Sequence, residues 1–415
     1  MESDEPLRDQ SMLFAGDEES AYQAISLPGE VVTPGHDRSY LLDEVFGDSF
    51  AGKSYLDVGS HHGYFCLEAL RRGASRSCGI ETHTSTVRRA RKIADVLALT
   101  PHYIEDDFEN WEPEGEQFDV VSCLNVLHHM TDPIHAIRKM MRIAREKIVL
   151  EVAKPTWKEV LHDGINPLRL YDLGSPAIFL GRPEKRGYGA RRTYMFTPAA
   201  LKVIFNIHSN SFEPISIKPS PFKGRLIVEA KKKRIGDLVV VAGPTSCGKS
   251  TLCEKLIDDG DLQQQFGMRR ATWQLIGARS VPELGRGRLE NLILHYDFLR
   301  PWRTSIHSYA RDPALELLNL AERVSIVTIV AGRSRLREQL RRKEIEPHHG
   351  RGGASDSHMK LLELYDRPQF LNDWYAAWDA FVSTVPAATR LMVENRGEFT
   401  CPAPIDWPEI LERKD

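Results

Sequence analysis

The stretch SYLDVGSHHGYF, residues 54–65, runs an apolar strand into an acidic residue and then into a turn bounded by Gly59 and Gly63. A strand that feeds such a turn and then a helical pattern opens a nucleoside-binding unit. Gly59 lets the backbone turn tightly and approach a ligand, and Gly63 opens a helix whose first amides face it. The next apolar stretch, SCGIE, ends at Glu81, 22 residues after Gly59. A carboxylate there can accept from both hydroxyls of a ribose. No third phosphate-cradling glycine follows, so phosphate contact is not demanded.

Working outward, apolar stretches at 54–59, 77–81, 118–124 and 147–153 read as strands, with helical patterns between them, and GRLIVEAKK (224–232) reads as a closing strand. Strand–helix alternation predicts a parallel sheet covered on both faces. Residues 1–38 are acidic and turn-rich and are expected to form a weakly ordered arm, residues 39–230 the first domain, and the basic run at 231–236 a solvated linker. A second alternating unit is expected over 237–415. Its helix 372–382 carries aromatics at core spacing, and its glycine-rich loop 348–357 suits a mobile lid.

Composition limits the function classes. At 415 residues, two domains are expected. A formal net charge of -3 gives no global basic field, so nucleic acid stays open as a partner but has no support from charge. The six cysteines, at 66, 78, 123, 247, 253 and 401, form no C-x-x-C pair; reduced, buried thiols are expected rather than a zinc site or a disulfide framework. The acidic MESDEPLRDQ start has no signal-peptide character. No apolar run approaches the roughly 20 residues of a membrane helix, so a cytoplasmic location is expected.

The first half resembles the class I S-adenosylmethionine-dependent methyltransferases over about residues 50–155. LDVGSHHGYF, GIETHTSTVRRAR, EDDFENW, FDVVSCLNVLHHMTDP and KIVLEVA follow the order of that family's motifs. The resemblance implies that Asp57, Gly59, Ser60 and Gly63 line the methionine and ribose end. Glu81 would hold the ribose, Asp106 or Asp107 with Phe108 would bracket the adenine, and Asn125 would lie under the methionine part. His61 departs from the family pattern, standing where many such loops have glycine, and could narrow the pocket or meet the substrate. The wording is similar to tRNA wobble-uridine carboxymethyltransferases and to the methyltransferase halves of O-antigen chain terminators. Methyl transfer asks mainly for alignment, and for a base only where the acceptor is protonated. His128 and His129 are the candidates, with His61 and His62 behind them and packing or a structural hydrogen bond as the alternative for each. Metal binding by the two His-His pairs is not expected, since adjacent side chains should point apart.

The segment VVVAGPTSCGKSTL, residues 239–252, satisfies G-x-x-x-x-G-K-S from Gly243 to Ser250, between an apolar run and a helical pattern. In that context the loop formed by Gly243, Thr245, Ser246, Cys247 and Gly248 presents consecutive amides to an anion. Lys249 would reach the outer phosphates of ATP, Ser250 would ligate Mg²⁺ with Thr251 behind it, and Asp297 would act as a second metal ligand or as the base for an acceptor hydroxyl. Arg333 and Arg337 sit in an arginine-rich helical stretch that suits a lid over a transferring phosphoryl group; a solvated helix face is the alternative. This half is similar to P-loop kinases of small metabolites. Its loop wording is also similar to tRNA dimethylallyltransferases, but the D-S-x-Q segment of those enzymes is missing.

The sequence therefore reads as an α/β protein of two domains, a Rossmann-like methyltransferase sheet followed by a P-loop kinase-like parallel sheet with lid helices. A bifunctional enzyme using S-adenosylmethionine, ATP and Mg²⁺ on a glycan or other hydroxyl or phosphate acceptor is the leading expectation. The alternatives are an RNA-modifying methyltransferase with an ATPase or RNA-kinase domain, and a methyltransferase gated by a nucleotide-binding module. Oligomeric state is not legible.

Overall fold

In a computed structural model of the chain, the structure describes residues 22–155, 174–181, 193–281, 284, 287–299, 309–345, 356–367, 369–386, 388–400 and 407–412. The chain divides into two compact units between Lys232 and Lys233.

The first unit contains α1 (Leu42–Phe46), β1 (Ser54–Val58), α2 (Tyr64–Arg71), β2 (Arg76–Glu81), α3 (Thr84–Val96), β3 (His102–Glu105), β4 (Phe118–Leu124), α4 (Pro133–Ile143), β5 (Ala144–Ala153), β6 (Ile178–Gly181), β7 (Thr193–Phe196), α5 (Pro198–His208), β8 (Ser216–Pro219) and β9 (Arg225–Lys231). Seven of these strands form one sheet in the order β3-β2-β1-β4-β5-β9-β8. All its pairings are parallel except those of β9, which runs against both β5 and β8. β6 and β7 form a separate hairpin. Tyr55, Leu56, Asp57 and Val58 of β1 are all buried, as a strand between two helix layers must be. α3 buries Val87, Ala90, Ile93 and Ala94 at helical spacing and leaves its arginines outside. α4 begins with Pro133 at its first position and Asp132 as N-cap, whose side chain accepts from the His135 amide. The strand order reverses between β1 and β4, so the loops leaving these strands part and open a crevice at their carboxyl ends.

The second unit contains β10 (Arg234–Pro244), α6 (Lys249–Asp258), α7 (Gly260–Gln265), β11 (Gln274–Gly277), β12 (Arg288–Leu299), β13 (Ala321–Val330), α8 (Arg333–Ile345), α9 (Asp356–Tyr365), α10 (Phe370–Ser383), β14 (Thr389–Asn395), β15 (Phe399–Thr400) and α11 (Trp407–Glu412). Its sheet runs β11-β12-β10-β13-β14-β15, parallel except for β15. β10 is central and, Arg234 aside, buried along its whole length. The chain leaves β10 toward β11 and leaves β13 toward β14, which puts a second order reversal between β10 and β13. The aromatic helix packs inward: Trp378 Nε1 donates to Thr328 Oγ1 at 2.9 Å and the Tyr375 hydroxyl to the Ile329 carbonyl at 2.8 Å.

Two segments differ from the sequence reading. Residues 22–38, expected within a weakly ordered arm, pack onto the first unit. Gln23, Ile25, Leu27, Thr33 and Arg38 are buried, and Thr33 Oγ1 bridges the Ile25 amide and the Gln23 carbonyl. Hydrophobic residues spaced between turns anchor this stretch despite its polar composition; residues 1–21 lie outside those described. The run KKKR is not a solvated linker either. Lys231 ends β9, Arg234 begins β10, and the buried Lys233 donates to the Val281 carbonyl at 2.9 Å. Most of the glycine-rich loop 348–357 lies outside the described residues.

Candidate functional site

The crevice of the first unit is a cleft of about 500 Å³. Of the residues singled out in the sequence, Gly59, His61, Glu81, Asp106, Asp107, Phe108, Asn125 and His129 line it. Gly59 has φ +74°, its amide donates to the Ile80 carbonyl at 2.8 Å, and an added Cβ would lie 2.4 Å from a Val126 methyl. Only glycine fits that close crossing of two loops. Glu81 is held by the loops on either side. One carboxylate oxygen accepts from the His61 amide and the other from the His83 amide, each at 3.1 Å. These bonds fix a charged acceptor at the end of β2 and orient it for hydroxyl donors.

Asp57, Ser60, Gly63 and His128 do not line the cleft. Asp57 lies beneath it, 2% exposed, accepting from the Ser122 hydroxyl at 2.6 Å. Burial pushes its carboxyl up to about 7. Ser60 is fully buried. Gly63 caps α2, but a Cβ there would meet the Tyr103 hydroxyl at 1.8 Å, and the first helical amide, Tyr64, donates to Gln23 Oε1. Its glycine therefore serves packing, and the helix start is covered by the N-terminal segment. His128 is 7% exposed, and burial lowers its pKa to about 3.

The paired histidines also differ from expectation. The rings of His61 and His62 lie 4.0 Å apart between centroids, and those of His128 and His129 lie 3.9 Å apart. A left-handed backbone at His61 (φ +51°) and a short 3-10 turn at 127–129 bring neighbours to one side, where a regular strand or helix would separate them. No cluster of three or more metal-ligating side chains occurs among the described residues.

Tyr22 was not picked out from the sequence, yet it lines the cleft. Its hydroxyl accepts from Arg38 Nη2 at 2.5 Å and from Asn125 Nδ2 at 2.9 Å, and its ring centroid lies 4.8 Å from that of His61. The available signal was an aromatic residue in a largely polar, acidic arm.

Two buried histidines, His62 and His128, and the half-buried His61 make the first unit acid-sensitive. Burial lowers His61 to about 4, and His62 and His128 to about 3, from an ordinary 6.5. Below pH 6.5 the unfolded chain takes up these protons and the folded chain does not, so stability falls on acidification until the folded values are reached. Asp57 acts in the opposite sense, holding its proton in the fold from 3.8 up to about 7, but it is one group against three. The expected result is a melting transition of the first unit that moves down from pH 7 to pH 4. His62→Gln should make that decline shallower, and an identical slope in the variant would refute the assignment.

In the second unit, β10 enters a tight loop that ends at Gly248, the N-cap of α6, with φ +98°. Ser246 is also left-handed, at φ +69°. Gly243 has no room for a side chain, since a Cβ would lie 2.3 Å from Cys247 Sγ. The Thr245 hydroxyl donates to the Leu299 carbonyl at 2.9 Å. Lys249 is 3% exposed; its Nζ donates to the Pro244 carbonyl and pairs with Asp297 Oδ1, both at 2.6 Å. Burial would strip the ammonium of its proton, but the neighbouring Cys247 sulfur and Asp297 carboxylate outweigh this and raise its pKa. Ser250 is exposed, 3.3 Å from His295 Nε2, and Thr251 is exposed beside it. Arg337 is paired with Asp366 at 2.7 Å, and Arg333 starts α8. Sequence reasoning missed Asn395, buried at the end of β14, whose Nδ2 donates to the Cys247 carbonyl at 2.8 Å. An asparagine at the end of an unremarkable strand gives no motif to find.

Residues 36–205 match the family model described as a methyltransferase domain. Among curated proteins, the chain is 30% identical over 89 residues to the tRNA U34 carboxymethyltransferase of Campylobacter hominis, covering 21% of this chain and 31% of that one. It is 34% identical over 104 residues to the ubiquinone biosynthesis O-methyltransferase of Actinobacillus pleuropneumoniae, covering 24% and 44%. The chain thus spans less than half the length of either relative. Among solved structures, the N-terminal domain of EvdMO1, crystallised in the presence of SAH and D-fucose, aligns at 18% identity and a TM-score of 0.41, over 56% of this chain and 97% of that one. Residues 36–205 of the first unit are thus similar to a methyltransferase domain, on a sheet whose core runs 3-2-1-4-5 with a cleft at its order reversal.

Proposed function

We propose that the first unit transfers a methyl group from S-adenosylmethionine to a hydroxyl acceptor, and that the second transfers a phosphoryl group from ATP with Mg²⁺. The observation that carries the first part is the oriented Glu81 carboxylate at the end of β2, across the cleft from Asn125. Its acceptor geometry suits a ribose, and Asp106, Asp107 and Phe108 lie beyond it for a base. S-adenosylmethionine, when bound, supplies an already activated methyl. The protein's own work is alignment, exclusion of water by Tyr22 and His61, and removal of the acceptor's proton. His129 is the residue for that last task, because it faces the cleft whereas His128 is buried behind it. The similarity to ubiquinone biosynthesis O-methyltransferases supports a hydroxyl acceptor.

The second part rests on Lys249 and Asp297 meeting at the mouth of the glycine-bounded loop, with the Ser250 hydroxyl exposed beside them. Lys249 would meet a polyphosphate, the Thr245 and Cys247 amides of the loop being bonded to the Leu299 and Pro244 carbonyls, and Ser250 and Asp297 would offer two oxygen ligands suited to Mg²⁺. Freed of Lys249, Asp297 would also hold an acceptor hydroxyl.

The test is a mass shift. The full chain is incubated with S-adenosylmethionine and Mg-ATP together with an oligosaccharide, a phenol or a tRNA. A gain of methyl, phosphate or both on the oligosaccharide or phenol is expected. Modification of tRNA alone would replace this reading with an RNA-modifying one, for which the tRNA-modifying relative gives a precedent. No mass gain in any arm would refute both.

A further inference from the structure

The two walls of the methyltransferase cleft are tied together by bonds that the proposed chemistry does not itself require. On one wall stand Asp106, Asp107, Phe108 and Glu109, and on the other His129, Met130 and Thr131. Glu109 reaches across: one carboxylate oxygen accepts from the Thr131 amide at 2.8 Å and the other from the Asp132 amide at 2.7 Å. These amides lead into α4, where unpaired N–H groups and the helix dipole favour a negative charge. Two turns further along the same helix, the fully buried Lys139 points back at the loop. Its ammonium donates to the carbonyls of Phe108 at 3.0 Å, of Glu109 at 3.5 Å and of Trp111, and lies 5.3 Å from the Phe108 ring centroid. A buried ammonium is costly unless its three protons are bonded, and one loop supplies all three acceptors. The loop is itself a closed turn, with the Asn110 and Trp111 amides both donating to the Asp107 carbonyl. It is therefore gripped from α4 at two points and cannot shift without carrying residues 129–132 with it.

We infer that Glu109 and Lys139 are positioning residues that make the nucleoside wall and the acceptor wall one body, so that the methyl donor, by binding first, sets the placement of His129 for the acceptor. This rests on the methyl-donor reading of the cleft. It gives the reaction an order, donor before acceptor, and places its origin in two side chains, Glu109 within the EDDFENW stretch and Lys139 on α4.

Hydrogen exchange on the full chain, with and without S-adenosylhomocysteine as the probe, tests it. The readout is the His129 and Met130 amides, which bond to the Val126 and Leu127 carbonyls and do not touch Glu109. In the wild-type chain the probe should slow exchange at 105–111 and at these two amides together. In Glu109→Ala, at probe concentrations that saturate each protein, the slowing at 105–111 should persist while the slowing at 129–130 falls at least fivefold. Glu109→Gln, which keeps one acceptor oxygen, should restore part of it. If Glu109→Ala does not fold, Lys139→Met is the second variant, with the same expectation. Undiminished slowing at 129–130 in a folded variant overturns the coupling. A wild-type chain that fails to bind the probe overturns the methyl-donor reading and the coupling with it, whereas a chain that binds it and protects only 105–111 overturns the coupling alone.

Discussion

Lys249→Ala is expected to lower phosphoryl transfer from ATP by about a thousandfold, the loss of about 4 kcal/mol of transition-state stabilisation, while methyl transfer continues at the wild-type rate. Lys249 contacts the loop from inside, bonded to the Pro244 carbonyl and to Asp297. Without it the amides of the loop remain, but the charge that would spread over a transferring phosphoryl group has no buried partner. The fold should tolerate the change. Asp297 keeps about a third of its side chain exposed and is solvated once the ammonium is gone, and the hydrophobic cores of the two units are separate. The check is a pair of assays on one preparation, radiolabelled phosphate from ATP and radiolabelled methyl from S-adenosylmethionine. Phosphoryl transfer within tenfold of wild type would remove Lys249 from the chemistry. Loss of methyl transfer in the variant, with no ATP turnover in the wild-type chain, would instead establish the second unit as a nucleotide-operated gate.

The parts of the molecule legible in the sequence are those where one residue type has few physical alternatives. Gly59 and the G-x-x-x-x-G-K-S loop are of this kind, since tight turns and close approaches exclude a Cβ and leave a spacing that can be read directly. The buried strands β1, β4, β5 and β10 were readable as apolar runs. Short strands such as β3 and β11 were not, because four residues of mixed polarity, HYIE or QLIG, carry no period. Within the cleft, Glu81 was legible from its distance to Gly59, but Tyr22 was not, because its place depends on Arg38 and Asn125, partners 16 and 103 residues away. Asp57 and Gly63 show the converse failure. The motif flags both, yet one is buried under the sheet end and the other is required by the Tyr103 ring. The basic run KKKR misled because charge alone was taken to mean solvation, whereas the long stem of Lys233 buries while its ammonium finds a carbonyl.

Glu151→Leu is expected to destabilise the first unit by about 3–5 kcal/mol, the usual cost of stranding a buried charge. Glu151 is completely buried at the end of β5. Its carboxylate accepts from Tyr40 and Ser220 hydroxyls at 2.7 Å and from the Arg38 and Arg225 guanidinium groups at 3.2 Å. Among the described residues Glu151 is the carboxylate that Arg38, 2% exposed, pairs with; without it the guanidinium keeps the Tyr22 and Tyr40 hydroxyls and the faces of the Tyr22 and Phe222 rings. Arg38→Met should cost less, because Glu151 then keeps the partly exposed Arg225 and two hydroxyl donors. The double substitution should recover part of the loss, since no buried charge is left alone. Urea denaturation followed through the first unit measures all three. The predicted order is wild type, Arg38→Met, then Glu151→Leu, with the double variant above Glu151→Leu. Equal losses for the two single variants would mean that Arg38 finds another counter-charge when Glu151 is removed. The same network fixes the cleft, because Arg38 holds the Tyr22 hydroxyl that Asn125 also contacts. The stable Arg38→Met variant should therefore bind S-adenosylhomocysteine more weakly, by about tenfold, whereas unchanged affinity would confine the buried pair to a role in stability.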